Sequence, residues 1–245
     1  MSLLYSTNRP DYFNIFEIVI RLKFNQLVPT LSLIVLMFGC QTKVDNNPRD
    51  IGLEYAPLTI GSWVVYQVDS HVYDDFNLSR PDTNYQYQIK ELIESEFQNQ
   101  VGQKTRRIER YSRSADSLPW VLSNVWAANL SSSSFEKVED NIRYVKLVFP
   151  VKENNSWNGN QFNTHEEWNY RYFNSHSPRF VNGFTFDSTL VVNQINDSNV
   201  IQLKYAFEIY AKGIGMVYKR LDTLETQNGK RKGLRYSQVI KDWSK

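Results

Sequence analysis

No disulfide can form within this chain, because Cys40 is the only cysteine among its 245 residues. Cysteine-based metal sites are excluded with it, so the fold has to be held by its core. Histidine is nearly as scarce: His71, His165 and His176 are the whole supply. His165-Glu166-Glu167-Trp168-Asn169 begins like a zinc-protease motif. Asn169, however, stands where a second histidine is needed one helical turn on. Gly213-Ile214-Gly215 lacks the further glycine and helix of a phosphate loop, and no serine lies in a G-x-S-x-G elbow. Asp69, Asp74, Asp75 and Asp82 do not follow the spacing of a calcium loop and are expected at a solvated hairpin tip. An excess of charge is lacking too. The formal net charge is +2, too little for a nucleic-acid-binding face. No cofactor and no metal are expected.

Long apolar runs are also missing. The one uninterrupted run, Leu27 to Gly39, has 13 residues and contains Pro29, short of the roughly 20 that a membrane-spanning helix needs. Its length suits the apolar region of a cleavable signal, and Arg21 and Lys23 supply the basic flank. Met37-Phe38-Gly39-Cys40 resembles the lipobox of bacterial lipoproteins, with Phe38 bulkier than the small residue commonest there. Residues 1–39 are therefore expected to be a signal peptide, with a leading region long enough to point to an over-extended start. Cys40 is expected to be lipidated. Removing residues 1–39 takes away three basic and two acidic groups and leaves a formal charge of +1. An acylated Cys40 implies a membrane partner through the anchor, and more than one acyl chain gives stable attachment. Gln41 after the cysteine matches lipoproteins that are not retained at the inner membrane. Gln41-Thr42-Lys43-Val44-Asp45 is less acidic than surface-export signals, so the periplasmic face of the outer membrane is the expected location.

Residues 41–57 are polar, broken by Pro48 and Pro57, and lack periodicity. Residues 40–57 are expected to be the lipidated cysteine and a flexible tether reaching about 20–25 Å. The remainder, 58–245, alternates with period two. Val64, Tyr66 and Val68 share a face, as do Tyr85, Tyr87 and Ile89; Val145, Leu147 and Phe149; Trp168, Tyr170 and Tyr172; and Phe184, Phe186, Ser188, Leu190 and Val192. The clearest set, Leu203, Tyr205, Phe207 and Ile209, is expected on the core, with Gln202, Lys204, Ala206 and Glu208 in water. Asn158-Gly159, Asn182-Gly183 and Asn228-Gly229 are candidate tight turns. Gly213 and Gly215 interrupt a long strand pattern at 211–217 and are expected to mark a bulge or a bend that lets the sheet curl. The fold class is all-β: one antiparallel domain of about nine or ten strands, curved into a lipocalin-like barrel or a half-barrel.

Gly61-Ser62-Trp63-Val64-Val65-Tyr66, Arg107-Ile108-Glu109-Arg110-Tyr111, Val145-Lys146-Leu147-Val148-Phe149-Pro150, Trp157-Asn158-Gly159 and Ala211-Lys212-Gly213-Ile214-Gly215-Met216-Val217 together resemble a group of uncharacterised lipoproteins of Bacteroidetes-type bacteria. The resemblance implies an envelope location and a single β domain, and no particular activity.

Tryptophan carries the ligand candidates. Aromatic residues make up 14% of the chain, and Trp63, Trp120, Trp126, Trp157 and Trp168 fit either core packing or the wall of an apolar site. Trp120, in Ser117-Leu118-Pro119-Trp120, is the expected exposed aromatic; Trp120, Trp126 and Trp157 are the candidate ligand-binding residues. Arg106, Arg107, Arg110 and Arg113 are expected to pair across strands with Glu91, Glu94 or Glu96. Asp116-Ser117-Leu118, Asp187-Ser188-Thr189 and Asp222-Thr223-Leu224 are similar to the O-glycosylation sequon of Bacteroidetes-type envelopes. No catalytic constellation emerges. The expectation is a non-catalytic, outer-membrane-anchored lipoprotein that binds an apolar ligand or an envelope protein. A glycan-binding accessory lipoprotein is the alternative, and a hydrolase with an unrecognised acidic pair comes third.

Overall fold

Alternating aromatic and β-branched residues between Asn-Gly pairs give the chain its strands and its reversals. The computed structural model describes residues 50–79 and 82–244, so the signal peptide, Cys40 and residues 41–49 lie outside it. Twelve strands follow one another: β1 (Trp63–Asp74), β2 (Asp82–Gln98), β3 (Lys104–Arg113), β4 (Val121–Leu130), β5 (Ser134–Glu139), β6 (Ile142–Val148), β7 (Ser156–Asn158), β8 (Asn169–Val181), β9 (Phe184–Ser198), β10 (Gln202–Ala211), β11 (Gly215–Gln227) and β12 (Lys230–Trp243). The all-β antiparallel class is as expected, with more strands than the nine or ten counted from the sequence.

All twelve form one sheet in the order β6-β5-β4-β3-β2-β1-β12-β11-β10-β9-β8-β7. It is a meander whose first and last strands also pair, Tyr66 opposite Ile240. Its two free edges, β6 and β7, are consecutive in the chain, and the sheet curls into a nearly closed barrel with a seam between them. Val145 N–H donates to Gly159 O at 2.9 Å, and Trp157 Nε1 donates to Val145 O at 2.9 Å. The Tyr172 hydroxyl accepts from Val148 N–H at 2.8 Å and donates to Val148 O at 2.7 Å. Side chains thus finish the ladder where backbone pairing stops.

Asn182-Gly183 joins β8 to β9 and Asn228-Gly229 joins β11 to β12, all four residues with positive φ as a two-residue hairpin with right-handed strand twist requires. Asp140-Asn141 does the same between β5 and β6 at φ 50° and 67°. Asn158-Gly159 instead leads out of β7 into the loop before β8, with Gly159 packed flat against the Tyr170 ring. Gly213 and Gly215 do not mark a bulge: β10 ends at Ala211, β11 starts at Gly215, and the glycines make the turn between them at φ 78° and 95°.

The expected tether also differs from what forms. Residues 50–57 pack across one end of the barrel, with a 3₁₀ turn at Leu53–Tyr55. Val151 N–H donates to Ile51 O, Gly213 N–H to Glu54 O and Arg106 Nε to Leu58 O, at 2.8–2.9 Å. Tyr55 and Ala56 are the reason: both are buried in the interior cluster with Ile108, Trp126 and Phe135. Burying such side chains contributes about 1.5–3 kcal/mol for a large one, enough to hold a polar segment that shows no periodicity of its own.

β10 inverts the expected facing. Glu208 and Tyr210 line the barrel interior, and Ala206 and Glu208 are buried. Leu203, Tyr205, Phe207 and Ile209, on the other parity, face outward. Phe207 and Ile209 are nevertheless covered, because they belong to an apolar cluster with Val181, Phe184 and Phe186 of the β8–β9 hairpin and with Val217 and Tyr218. Both faces of β10 are covered there, so alternation no longer separates core from solvent.

Candidate functional site: a charged ladder in the barrel cavity

The inner wall of the barrel lines a cavity of about 600 Å³ that opens to solvent. Much of its wall is aromatic or aliphatic, including Tyr55, Trp63, Ile89, Ile108, Trp126 and Met216. Across it runs a row of ionised side chains whose positions follow from strand register. Glu91 on β2 lies opposite Arg110 on β3, and Glu208 on β10 lies opposite Lys219 on β11. Lys137 and Glu139, two residues apart on β5, share its inner face.

The contacts form a continuous chain. Arg110 Nε donates to Glu91 Oε1 at 3.0 Å and Lys137 Nζ to Glu91 Oε2 at 3.1 Å. Lys137 Nζ stands 3.8 Å from Glu139, and Lys146 Nζ reaches Glu139 at 3.2 Å and Glu208 at 3.1 Å. Lys219 Nζ completes the far side, 3.6 Å from Glu208 and 4.0 Å from Glu139. The Tyr210 hydroxyl donates to the other oxygen of Glu208 at 2.6 Å. The Arg110 guanidinium lies 3.7 Å from the Trp126 ring centre, with Lys137 Nζ at 4.9 Å. Trp126 Nε1 donates to Asp140 Oδ1 at 3.1 Å.

Burial and pairing oppose each other at every rung, and pairing wins. Burial pushes the Glu208 carboxyl up, but Lys146 and Lys219 together bring it down to about 2 from an ordinary 4.5. Glu139 is likewise raised by burial and lowered further still by Lys146, Lys219 and Lys137. Glu91 is lowered on balance by Lys137 and Arg110 against its own desolvation. Burial pulls the Lys146 ammonium down, yet Glu139 and Glu208 hold it well above its usual range. Burial, with Glu208 beside it, sends the Tyr210 hydroxyl far up. Glu91, Glu139, Glu208 and Lys146 are therefore ionised at neutral pH, and Tyr210 is neutral. None of these five is held near neutrality as a proton-transfer residue would be.

The three tryptophan candidates part company here. Trp126 lines the cavity, between the ladder and Asp140. Trp157 is buried in the seam against Tyr170 and Tyr172 and is not part of the cavity wall. Trp120 is half-buried outside the cavity, with the Arg113 guanidinium 4.2 Å from its ring centre. The Glu91–Arg110 pair matches the expected cross-strand pairing, but it faces inward. Lys137, Glu139, Lys146, Glu208 and Lys219 were not legible as site residues, since charge in alternation with apolar residues signals a solvated face. The lipidation candidate, Cys40, lies outside the described residues. Of the three sequons, Asp116-Ser117-Leu118 is on an exposed loop, while Asp222 is buried and Ser188 accepts or donates at 2.7 Å to the Tyr55 hydroxyl.

Replacing Trp126 by Phe is expected to destabilise the protein by about 1–2 kcal/mol, through loss of the Asp140 hydrogen bond and weaker contact with Arg110. Urea denaturation measures this; a loss below about 0.5 kcal/mol would show that the indole serves only to fill space.

No protein-family model matches this chain, and no curated protein matches it. Among solved structures, a crystal structure at 2.70 Å of a protein from Parabacteroides distasonis, provisionally assigned as a lipoprotein, is similar. The alignment covers 78% of this chain and 98% of that one, at 12% identity and a TM-score of 0.39. A likeness at this level does not define a family.

Proposed function

We propose that this chain is a non-catalytic lipoprotein, anchored through Cys40 to the periplasmic face of the outer membrane, whose barrel interior holds an apolar ligand. The observation that carries the ligand reading is the cavity itself. At about 600 Å³ it falls within the range of small-molecule sites, and its wall joins aromatic and aliphatic side chains to eight charged ones. The Gly39-Cys40 junction after a short apolar run supports the anchor. Among the described residues there is no cluster of three metal-ligating side chains, and none of Glu91, Glu139, Glu208, Lys146 and Tyr210 is poised for acid–base work. The glycan reading has less support, because Trp120 offers a sugar a ring already faced by Arg113.

Metabolic labelling with an alkynyl fatty acid is expected to mark the wild-type protein and not Cys40→Ser. Protein isolated from its own envelope and then extracted with organic solvent is expected to release an apolar compound in near-stoichiometric amount. Empty protein that also fails to take up an apolar dye would move the function to a protein partner, with the exposed apolar side chains of Leu118, Val121, Leu122 and Val125 as the surface to test.

A further inference from the structure

Resting on the reading of the interior as an apolar ligand site, we propose that the cavity binds an amphiphile with a single anionic head, a long-chain carboxylate, and that Lys219 and Gln238 hold the head.

Charge balance is the first ground. Four cations belong to the ladder, Arg110, Lys137, Lys146 and Lys219, against three carboxylates, Glu91, Glu139 and Glu208. Asp140 also borders the cavity, but it is exposed at the β5–β6 turn and its carboxylate accepts from Trp126 Nε1 and Asn124 Nδ2. Asp140 apart, the ladder holds one more cation than carboxylates, and Lys219, 21% exposed at its end, is the least buried of the four cations. A bound monoanion would give that extra cation a charge-assisted partner.

The geometry identifies which cation is least tightly held. Arg110, Lys137 and Lys146 each make a hydrogen bond of 3.0–3.1 Å to a ladder carboxylate. Lys219 stands 3.6 and 4.0 Å from its two carboxylates, an ion pair beyond hydrogen-bond reach. Its three N–H groups are therefore the least committed in the ladder.

The second ground is independent of charge. Gln238 sits opposite Lys219 in the β11–β12 register, lines the cavity and is 2% exposed. Its Oε1 accepts from the Tyr236 hydroxyl at 2.8 Å, while its Nε2 has no partner. Among the described residues, it is the one buried polar atom without a partner that belongs to the cavity wall. Buried donors are normally satisfied, so an orphan facing a cavity points to an acceptor that occupies it. An ammonium and an amide on neighbouring strands together present donors to a two-oxygen head. Glu208 and Glu139 beside Lys219 disfavour a doubly charged phosphate more than a monoanion. Leu221 and Leu234, on the same two strands and also on the cavity wall, are apolar and suit a hydrocarbon chain.

The test uses full-length protein in its own envelope membranes, photolabelled with a long-chain fatty acid bearing a diazirine or with the fatty alcohol of the same chain. Adducts on peptides of β11 and β12 are quantified against probe concentration. The alcohol is expected to need about tenfold more probe for half-maximal labelling, the difference a charge-assisted hydrogen bond makes. Lys219→Met is expected to bring the acid to the level of the alcohol and leave the alcohol unchanged. Lys219→Arg is expected to keep the preference, and Gln238→Leu to lose part of it. Equal labelling by acid and alcohol in the wild type, or an undiminished preference in Lys219→Met, overturns the anionic head while the apolar site stands. If neither probe labels the interior strands, the apolar site itself fails, and the head with it.

Discussion

Lys146→Met is expected to destabilise the fold by about 3–5 kcal/mol, the range found when one member of a buried ion pair is removed. Lys146 is 4% exposed and is the principal counter-charge of two carboxylates, Glu139 at 3.2 Å and Glu208 at 3.1 Å. Methionine keeps the apolar stem of the lysine, so little packing is lost. Burying an ammonium is itself unfavourable, and its removal returns some stability. That gain is smaller than the new cost, because two carboxylates then depend on Lys219 at 3.6 and 4.0 Å. Removing a partner together with the lysine tests this directly. The double variant Lys146→Met, Glu208→Gln is expected to lose less than the sum of the two single variants, by about 1–3 kcal/mol. Urea denaturation gives all three numbers. A loss under about 1 kcal/mol for Lys146→Met would mean that water reaches the ladder and screens it.

The same ladder fixes the acid limb of stability. Glu208 is held at about 2 against an ordinary 4.5. A carboxyl whose pKa is depressed by folding contributes stability that is fully present above the unfolded value and lost as pH falls through the folded one. The loss is therefore expected between about pH 5 and pH 2. For Glu208 alone it amounts to roughly 3 kcal/mol, since each tenfold difference in proton affinity between the folded and unfolded chain is worth about 1.4 kcal/mol. In Lys146→Met the carboxylates lose their main support and their pKa values rise. The acid limb should then begin at higher pH and fall less steeply, which a series of denaturation midpoints from pH 7 to pH 3 would show.

What the sequence makes legible is local. Asn182-Gly183 and Asn228-Gly229 mark hairpins because only a few residue types tolerate positive φ at both central positions. Asp140-Asn141 makes the same turn without a glycine, so β5 and β6 merge in the sequence and the strand count falls short. Gly213 and Gly215 lie between two runs of identical period, and nothing local separates a bulge from a reversal there. Facing is harder to read, since it depends on what covers each side. Ile209 and Glu208 are both buried, one in the apolar cluster with Val181 and Phe186 and the other in the cavity wall. The ladder was hidden for the same reason: lysine and glutamate are rarely buried unless paired, and their partners come from β2, β3, β5, β6, β10 and β11. Only the assembled barrel brings together residues as far apart as Glu91 and Lys219.

Closure of that barrel depends on few groups, and the single hydroxyl of Tyr172 is expected to account for a large share. Tyr172→Phe leaves Val148 N–H and Val148 O without the partner that now meets both, at 2.8 and 2.7 Å. Tyr172 is fully buried, so water cannot readily replace it. Each unsatisfied buried backbone group costs about 1–3 kcal/mol, which sets the expected destabilisation at roughly 2–4 kcal/mol with no change in ring packing. The effect should be local as well as global. The Val148 amide is expected to lose its protection against hydrogen exchange, while the Val145 amide, bonded to Gly159 O across the seam, keeps more of its own. A sheet edge released in this way is a template for pairing with another chain, so the variant should also aggregate more readily on warming. A cost below about 0.5 kcal/mol with unchanged exchange at Val148 would assign closure to the apolar contacts of Trp157, Tyr170 and Tyr172 instead. The hydroxyl would then be only an ornament on a seam that packing already holds.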